Sequence, residues 1–219
     1  GHHHCRAHGP GLSLEAFAAS QNALAAVSGG FFLYSEPDIE LPSTRTDPVG
    51  FLMDNGKIYN PPALHRATLM QTQSGQTTIK RMGPKGLKFQ WEHGPILQVE
   101  AHNHPSDVPV QSFNRAFGKI APGGRINLLV VGNTIVNVSE HELGIPLAGM
   151  VLSISGVEPP APGARIEWLG YNDFQNDPLH TAMAGGPLLL SKGEICINRE
   201  VEDFQKSAPP VTFSQDETF

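Results

Sequence analysis

The stretch VGFLMDNGKIY, residues 49–59, decides the fold class. Apolar residues on one side lead into Asp54-Asn55-Gly56, and Ile58 and Tyr59 follow on the other. Asn-Gly between two apolar runs is strong two-residue hairpin chemistry, because the tight turn needs residues that accept positive φ. The same punctuation recurs along the chain. ATLMQTQSGQTTIKRM (67–82) turns at Ser74-Gly75, INLLVVGNTIVNV (126–138) at Gly132-Asn133, and GGPLLLSKGEICIN (185–198) at Lys192-Gly193. The hairpins share a turn style but no common sequence, so they are not a true repeat. Strand and helix patterns do not alternate, which argues against a doubly wound parallel sheet. The expected class is α+β: a hairpin-rich mixed or antiparallel sheet with few helices.

One helix is legible. In SLEAFAASQNALAAV (13–27), Ser13 is the N-cap candidate and Glu15 places a negative charge in the first turn. Leu14, Phe17, Ala18, Leu24 and Ala25 make an apolar stripe, and the helix is expected to end near Val27, ahead of Ser28-Gly29-Gly30. FFLY (31–34) then reads as a short strand. SEPDIELPSTRTDPVG (35–50) is the best long surface loop, and SGVEPPAPGAR (155–165) the best loop or lobe boundary.

Composition narrows the function. The chain has 219 residues, enough for a full core, with 23 Gly and 19 Pro that favour turns. Its net charge of −6, with no long basic run, gives nucleic-acid binding no support. The longest apolar runs are short, such as LLVV and PLLL, so no membrane-spanning helix is expected. The two cysteines, Cys5 and Cys196, leave open whether they pair, and they fix no compartment. GHHHCRAHG (1–9) has metal-binding composition and equally suits a flexible end; residues 1–12 are read as a flexible segment.

VEAHNHPSDVPVQSF (99–113) raises a zinc question. It resembles the signature of the JAMM metalloproteases, His-x-His-Pro followed by Ser-x-x-Asp, in which two His and an Asp hold the metal. His102, His104, Pro105 and Ser112 fall at the right spacing, but Arg115 stands at the third-ligand position. A guanidinium removes a ligand and adds positive charge, and Asn, Pro, Ser and Asp are ordinary turn formers. A JAMM-like zinc hydrolase built on His102 and His104 therefore stays an alternative, and no cofactor or metal is expected.

A second resemblance covers residues 13 to 205 in order. NALAAVSGGFFLYSEPD (22–38), DPVGFLMDNGKIYNPP (47–62), QSFNRAFGKIAPGGRINLLVVGNTIVNV (111–138), IPLAGMVLSISG (145–156) and TAMAGGPLLLSKGEICINRE (181–200) are similar to successive motifs of the phosphodiester glycosidase family. This is the family of N-acetylglucosamine-1-phosphodiester α-N-acetylglucosaminidase. The resemblance implies a hydrolase cleaving a sugar-1-phosphodiester or related glycosidic bond, with a sugar-phosphate or glycoside as substrate. Its substrate-binding positions would be Ser28, Gly29, Gly30 and Phe31, then Asn114 and Arg115, then Gly185 and Gly186. The family continues to an Arg-Thr motif and an Asp-Gly-rich motif that this sequence does not contain. Residues 13–219 are thus expected to be the N-terminal portion of a domain, incomplete without a C-terminal part supplied by a companion chain from the same precursor.

The residues make physical sense independently. Two Gly-Gly pairs beside strand-like runs let backbone approach a ligand and point amides at an anion. Phe31, Phe32 and Tyr34 offer an apolar face for a sugar ring. Oxocarbenium-like chemistry wants carboxylates, for which Glu36, Asp38, Asp47 and Asp173 are the candidates. A non-catalytic carbohydrate-binding or structural member of the same fold is the alternative from another class.

Overall fold

The protein is described by a computed structural model covering residues 13–27, 31–33 and 47–204. The elements run α1 (Leu14–Ser20), β1 (Phe31–Leu33), β2 (Asp47–Val49), β3 (Leu52–Asp54), β4 (Lys57–Asn60), β5 (Arg66–Thr72) and β6 (Thr77–Met82). Next come β7 (Leu87–Trp91), β8 (Leu97–Gln98), β9 (Ala101–His102), β10 (Val110–Phe113), β11 (Ile120–Ala121), β12 (Ile126–Val131) and β13 (Thr134–Ser139). The last are β14 (Leu143–Gly144), β15 (Gly149–Ile154), β16 (Ile166–Tyr171), the 3-10 turn η1 (Asn172–Phe174), β17 (Leu179–Ala184), β18 (Leu190–Ser191) and β19 (Glu194–Ile195).

All four expected hairpins form, as β3–β4, β5–β6, β12–β13 and β18–β19. In the first, Asn55 and Gly56 both take positive φ, 49° and 76°, the backbone that a two-residue turn demands. The hairpin-rich, sheet-dominated class expected from the sequence is the observed one. The described strands form two five-stranded sheets, ordered β13-β12-β15-β10-β9 and β4-β3-β17-β5-β6, a three-stranded sheet, β16-β7-β8, and three two-stranded pairs. Pairings are antiparallel except β9 with β10, where Ala101 lies opposite Gln111 and His102 opposite Ser112.

A single apolar cluster draws on all three larger sheets, including Phe51, Met53 and Met70 from one, Phe89, Trp91 and Trp168 from another, and Leu128, Val130, Met150 and Leu152 from the third. Phe89 is fully buried, with its ring 5.7 Å from that of Trp168 and 6.3 Å from that of Trp91. Burying a side chain of this size contributes about 2–3 kcal/mol. Every residue of β15 is buried, as the unbroken run GMVLSI suits for a central strand between β10 and β12.

The helix is shorter than the sequence suggests. Ser13 does cap it, its hydroxyl accepting from the Ala16 amide at 3.2 Å. It ends at Ser20, with Asn22 in the left-handed region at φ 50°, a common helix stop. None of its residues is buried, and Leu24 and Val27 stand exposed. Helices draw most of their stability from packing an apolar face, and this stripe has no such support to carry it on to Val27. Residues 155–165 form the expected loop, joining β15 of one sheet to β16 of another.

Candidate functional site

The polar centre of the molecule is built on the segment 198–204. Asn198 starts it, its side chain accepting from the Val201 amide at 3.0 Å while its carbonyl accepts from the Glu202 amide at 3.3 Å. Phe204 closes the turn with its amide on the Arg199 carbonyl at 2.8 Å. Asp203 sits at φ 54°. This turn delivers two adjacent carboxylates, Glu202 and Asp203, into the interior between β5 and the β9–β10 corner.

Glu202 is fully buried and acts as a clamp. One oxygen accepts from the Ala67 amide of β5 at 2.9 Å. The other accepts from the Leu188 amide and from Arg81 Nε of β6, both at 2.9 Å. Asp203 faces the opposite side. Its Oδ2 accepts from the His65 amide at 2.7 Å and from Asn114 Nδ2 at 2.8 Å, and lies 3.8 Å from His102 Nε2. Burial alone would raise the pKa of this carboxyl. The nearby His102 ring and the hydrogen bonds from the His65 amide and Asn114 outweigh it and hold the group below its ordinary value. Arg66 lies over the Phe204 ring at 3.6 Å and donates to the Asp203 carbonyl at 3.0 Å; burial pushes its guanidinium down to about 10.

The β9–β10 pairing supplies the rest. His102 Nδ1 lies 2.8 Å from Ser112 Oγ, its parallel-strand partner, which leaves Nε2 turned toward Asn114 and Asp203. Asn114, just past β10, is fully buried and is held by Asn103 and by the Ala63 carbonyl at 2.8 Å. His65 packs its ring Nδ1 2.6 Å from the Val201 carbonyl.

The structure brings together part of the set expected from sequence. Asn114 is in this knot. Gly186 lies against it: a Cβ there would sit 3.0 Å from Glu202 Oε2 and 3.1 Å from the Phe204 ring. Gly185 donates its amide to the Ala67 carbonyl at 2.8 Å. Arg115 is buried but turns the other way, donating Nε to the Ile145 carbonyl at 2.6 Å. Phe31 opens β1 opposite Val49, and Asp47 opens β2 opposite Leu33. Ser28, Gly29, Gly30, Tyr34, Glu36 and Asp38 lie outside the described residues, as does Cys5. Asp173 is exposed on η1, apart from the knot.

The zinc alternative meets a different geometry. Both ring nitrogens of His102 lie within hydrogen-bond reach of protein groups, and His104 is exposed in the loop. Among the described residues, no three His, Cys, Asp or Glu side chains gather as a metal site would require.

Sequence reasoning missed His65, Arg66, Glu202 and Asp203. The available signal was VEDF (201–204), two acids held between two apolar residues near the end of a polar stretch.

No protein-family model matches the chain, and no curated protein matches it. Among solved structures it is similar to a hypothetical protein from Synechocystis, at 20% identity and TM-score 0.44, over 94% of this chain and 38% of that one. It is also similar to a protein from Burkholderia pseudomallei K96243 described as a candidate exported protein, at 19% identity and TM-score 0.32, over 80% of this chain and 43% of that one. The chain spans less than half the length of either.

Proposed function

We propose that the chain belongs to a hydrolase of sugar-1-phosphodiesters, with the Asp203 knot at its substrate-binding end. One observation carries the reading. Asn114 and Gly186 come from two separate motifs of the resemblance, and both converge on Glu202, Asp203 and Phe204. A carboxylate held anionic suits the stabilisation of an oxocarbenium-like transition state, and it is a poor general acid. The proposed chemistry tolerates that, because a phosphate monoester departs as a weak base and needs little protonation. Asn114 and the His65 amide fix Oδ2, leaving Oδ1 as the oxygen with no partner among the described residues.

The test is turnover of an N-acetylglucosamine-1-phosphodiester by the full-length natural protein, read as free sugar released. Asp203→Asn should lower kcat by about 100-fold or more, on the scale of removing a transition-state electrostatic group, while thermal unfolding confirms a folded protein. Absence of hydrolysis across α- and β-linked sugar-1-phosphodiesters by folded protein refutes the reading. A second reading, a carbohydrate-binding member without catalysis, is favoured by the complete burial of Ser112, Asn114 and Glu202. It is distinguished by saturable sugar binding without turnover.

A further inference from the structure

The sheet β4-β3-β17-β5-β6 has two unlike faces. Residues paired directly across antiparallel strands share a face, so the register sorts them. Met53, Ala182 and Met70 form one cross-strand row, and all three are buried in the main apolar cluster. The adjacent row, Leu52, Met183, Leu69 and Ile79, points to the opposite face. It is just as apolar, yet Leu69 is 43% exposed and Ile79 56%, with Leu52 and Met183 half-buried. Arg81, two residues beyond Ile79 on the same face, donates to the Cys196 carbonyl at 2.9 Å and brings the hairpin β18–β19 alongside. There the register partners Leu190 and Ile195 are 61% and 80% exposed. An apolar surface that runs on in this way marks a place where something docks.

The same face is already covered at one end. Ala67, the register partner of Arg81, is buried. The 198–204 turn closes over that end, with Glu202 accepting from the Ala67 amide and from Arg81. Leu69 stands two residues further along β5, roughly 7 Å from that clamp. The chain that continues from the turn is QKSAPPVTFSQDETF, residues 205–219, which lie outside the described residues. Val211 follows Glu202 by nine residues, and nine extended residues reach roughly 30 Å. Pro209-Pro210 favours extended backbone ahead of it. In an extended run Val211 and Phe213 share one side and Thr212 takes the other, which matches an apolar row on a sheet.

We propose that residues 205–219 cover this face, with Val211 and Phe213 packed on Leu69 and Ile79. The 198–204 turn tethers them next to the open row. That gives them a far higher effective concentration there than a second copy or a separate partner has. The cover is independent of hydrolysis at Asp203.

The experiment is photocrosslinking of the full natural protein carrying Phe213→p-benzoylphenylalanine, with the products mapped by mass spectrometry. Crosslinks within one chain to Leu69, Ile79 or Met183 are the expected result. Ile79→Ser, at an exposed position, should cut their yield severalfold with thermal unfolding unchanged. A second measurement does not depend on crosslinking efficiency. Val211→Asp combined with Phe213→Asp should raise the fluorescence of an added apolar dye, anilinonaphthalene sulfonate, severalfold while the thermal transition stays cooperative. Crosslinks that map elsewhere in the chain, to a second copy or to another protein overturn the proposal. So does unchanged dye fluorescence in the folded double variant.

Discussion

The knot at Glu202 and Asp203 and the cleft at Trp91 treat their polar groups in opposite ways. In the knot, two carboxylates enter the interior and meet backbone amides, an amide side chain, an arginine and the His102 ring. In the cleft between the 92–95 turn and the 157–165 loop, the charged residues Glu158 and Arg165 stand exposed, and the Trp91 indole packs against Gly94. Buried polar groups are costly unless paired, so a paired cluster supports the fold whatever else it does. Exposed groups keep water as their partner whether or not the chain is folded, so they add little to the fold. Substitutions in the knot should therefore cost far more stability than substitutions of Glu158 or Arg165 at the cleft.

Glu202→Ala should produce the largest effect. It removes the acceptor for two backbone amides and strands Arg81 beside them, a loss of about 3–5 kcal/mol, as for breaking a buried ion pair. Urea denaturation measures it. A loss below about 1 kcal/mol would mean that the clamp from the 198–204 turn to β5 and β6 is dispensable, and the contrast between knot and cleft would fail. Asn114→Ala comes next, at about 2–3 kcal/mol. It leaves the Ala63 carbonyl and one side of Asp203 unsatisfied in the interior. The same denaturation series ranks it against Glu202→Ala, and a larger effect than that variant reverses the order argued here.

The two regions were unequally legible in the sequence, for physical reasons. Hairpins announce themselves locally: Asn55-Gly56 and Lys192-Gly193 sit between their own strands, and alternation does the rest. Sheet order does not. β17 lies between β3 and β5, more than 100 residues earlier in the chain, and β10 lies beside β15, through packing that no short window contains. Asn114 was reachable through a motif. Glu202 was not, because its partner at the Ala67 amide is 135 residues away and NREVEDF reads as a solvated run. The apolar stripe over 13–27 suggests a longer helix than the one that forms, because a stripe carries no information on whether anything covers it.

Gly186→Ala tests the side of the knot where two motifs meet. Gly186 has φ 106°, and an added Cβ would crowd Glu202 Oε2 and Phe204, so about 1–2 kcal/mol should be lost. If the proposed function holds, sugar affinity falls more than unfolding alone explains. Equal thermal midpoints for the variant and the parent would show that this corner yields freely.

The pH response isolates Asp203. Its folded pKa lies below the unfolded value of roughly 3.9, so the folded state binds the proton less readily than the unfolded one. The stability this contributes is present above the unfolded value and is lost as pH falls through the folded one. Asp203→Asn, which cannot ionise, should lower stability at neutral pH and lessen the fall on acidification. Denaturation midpoints recorded from pH 7 down to pH 3 check this. An acid limb as steep in the variant as in the parent assigns it to other carboxylates.

Asp173→Asn should have the smallest effect, within about 0.5 kcal/mol, because an exposed turn carboxylate has water as its partner in both folded and unfolded states. The variant keeps the side chain's shape and removes only its charge, so it asks a narrow question. Asp173 and Asp203 are both acids that a glycosidic mechanism could use, and composition does not separate them. Their surroundings do: one is held anionic by His102, the His65 amide and Asn114, while the other stands in solvent on η1. Denaturation of Asp173→Asn beside the parent, with the sugar-release assay run on both, turns that contrast into a measurement. Unchanged stability with unchanged turnover keeps the proposed reaction at the knot. Unchanged stability with a large fall in kcat moves it to the η1 side, and the convergence of Asn114 and Gly186 on Asp203 is then a feature of the fold alone.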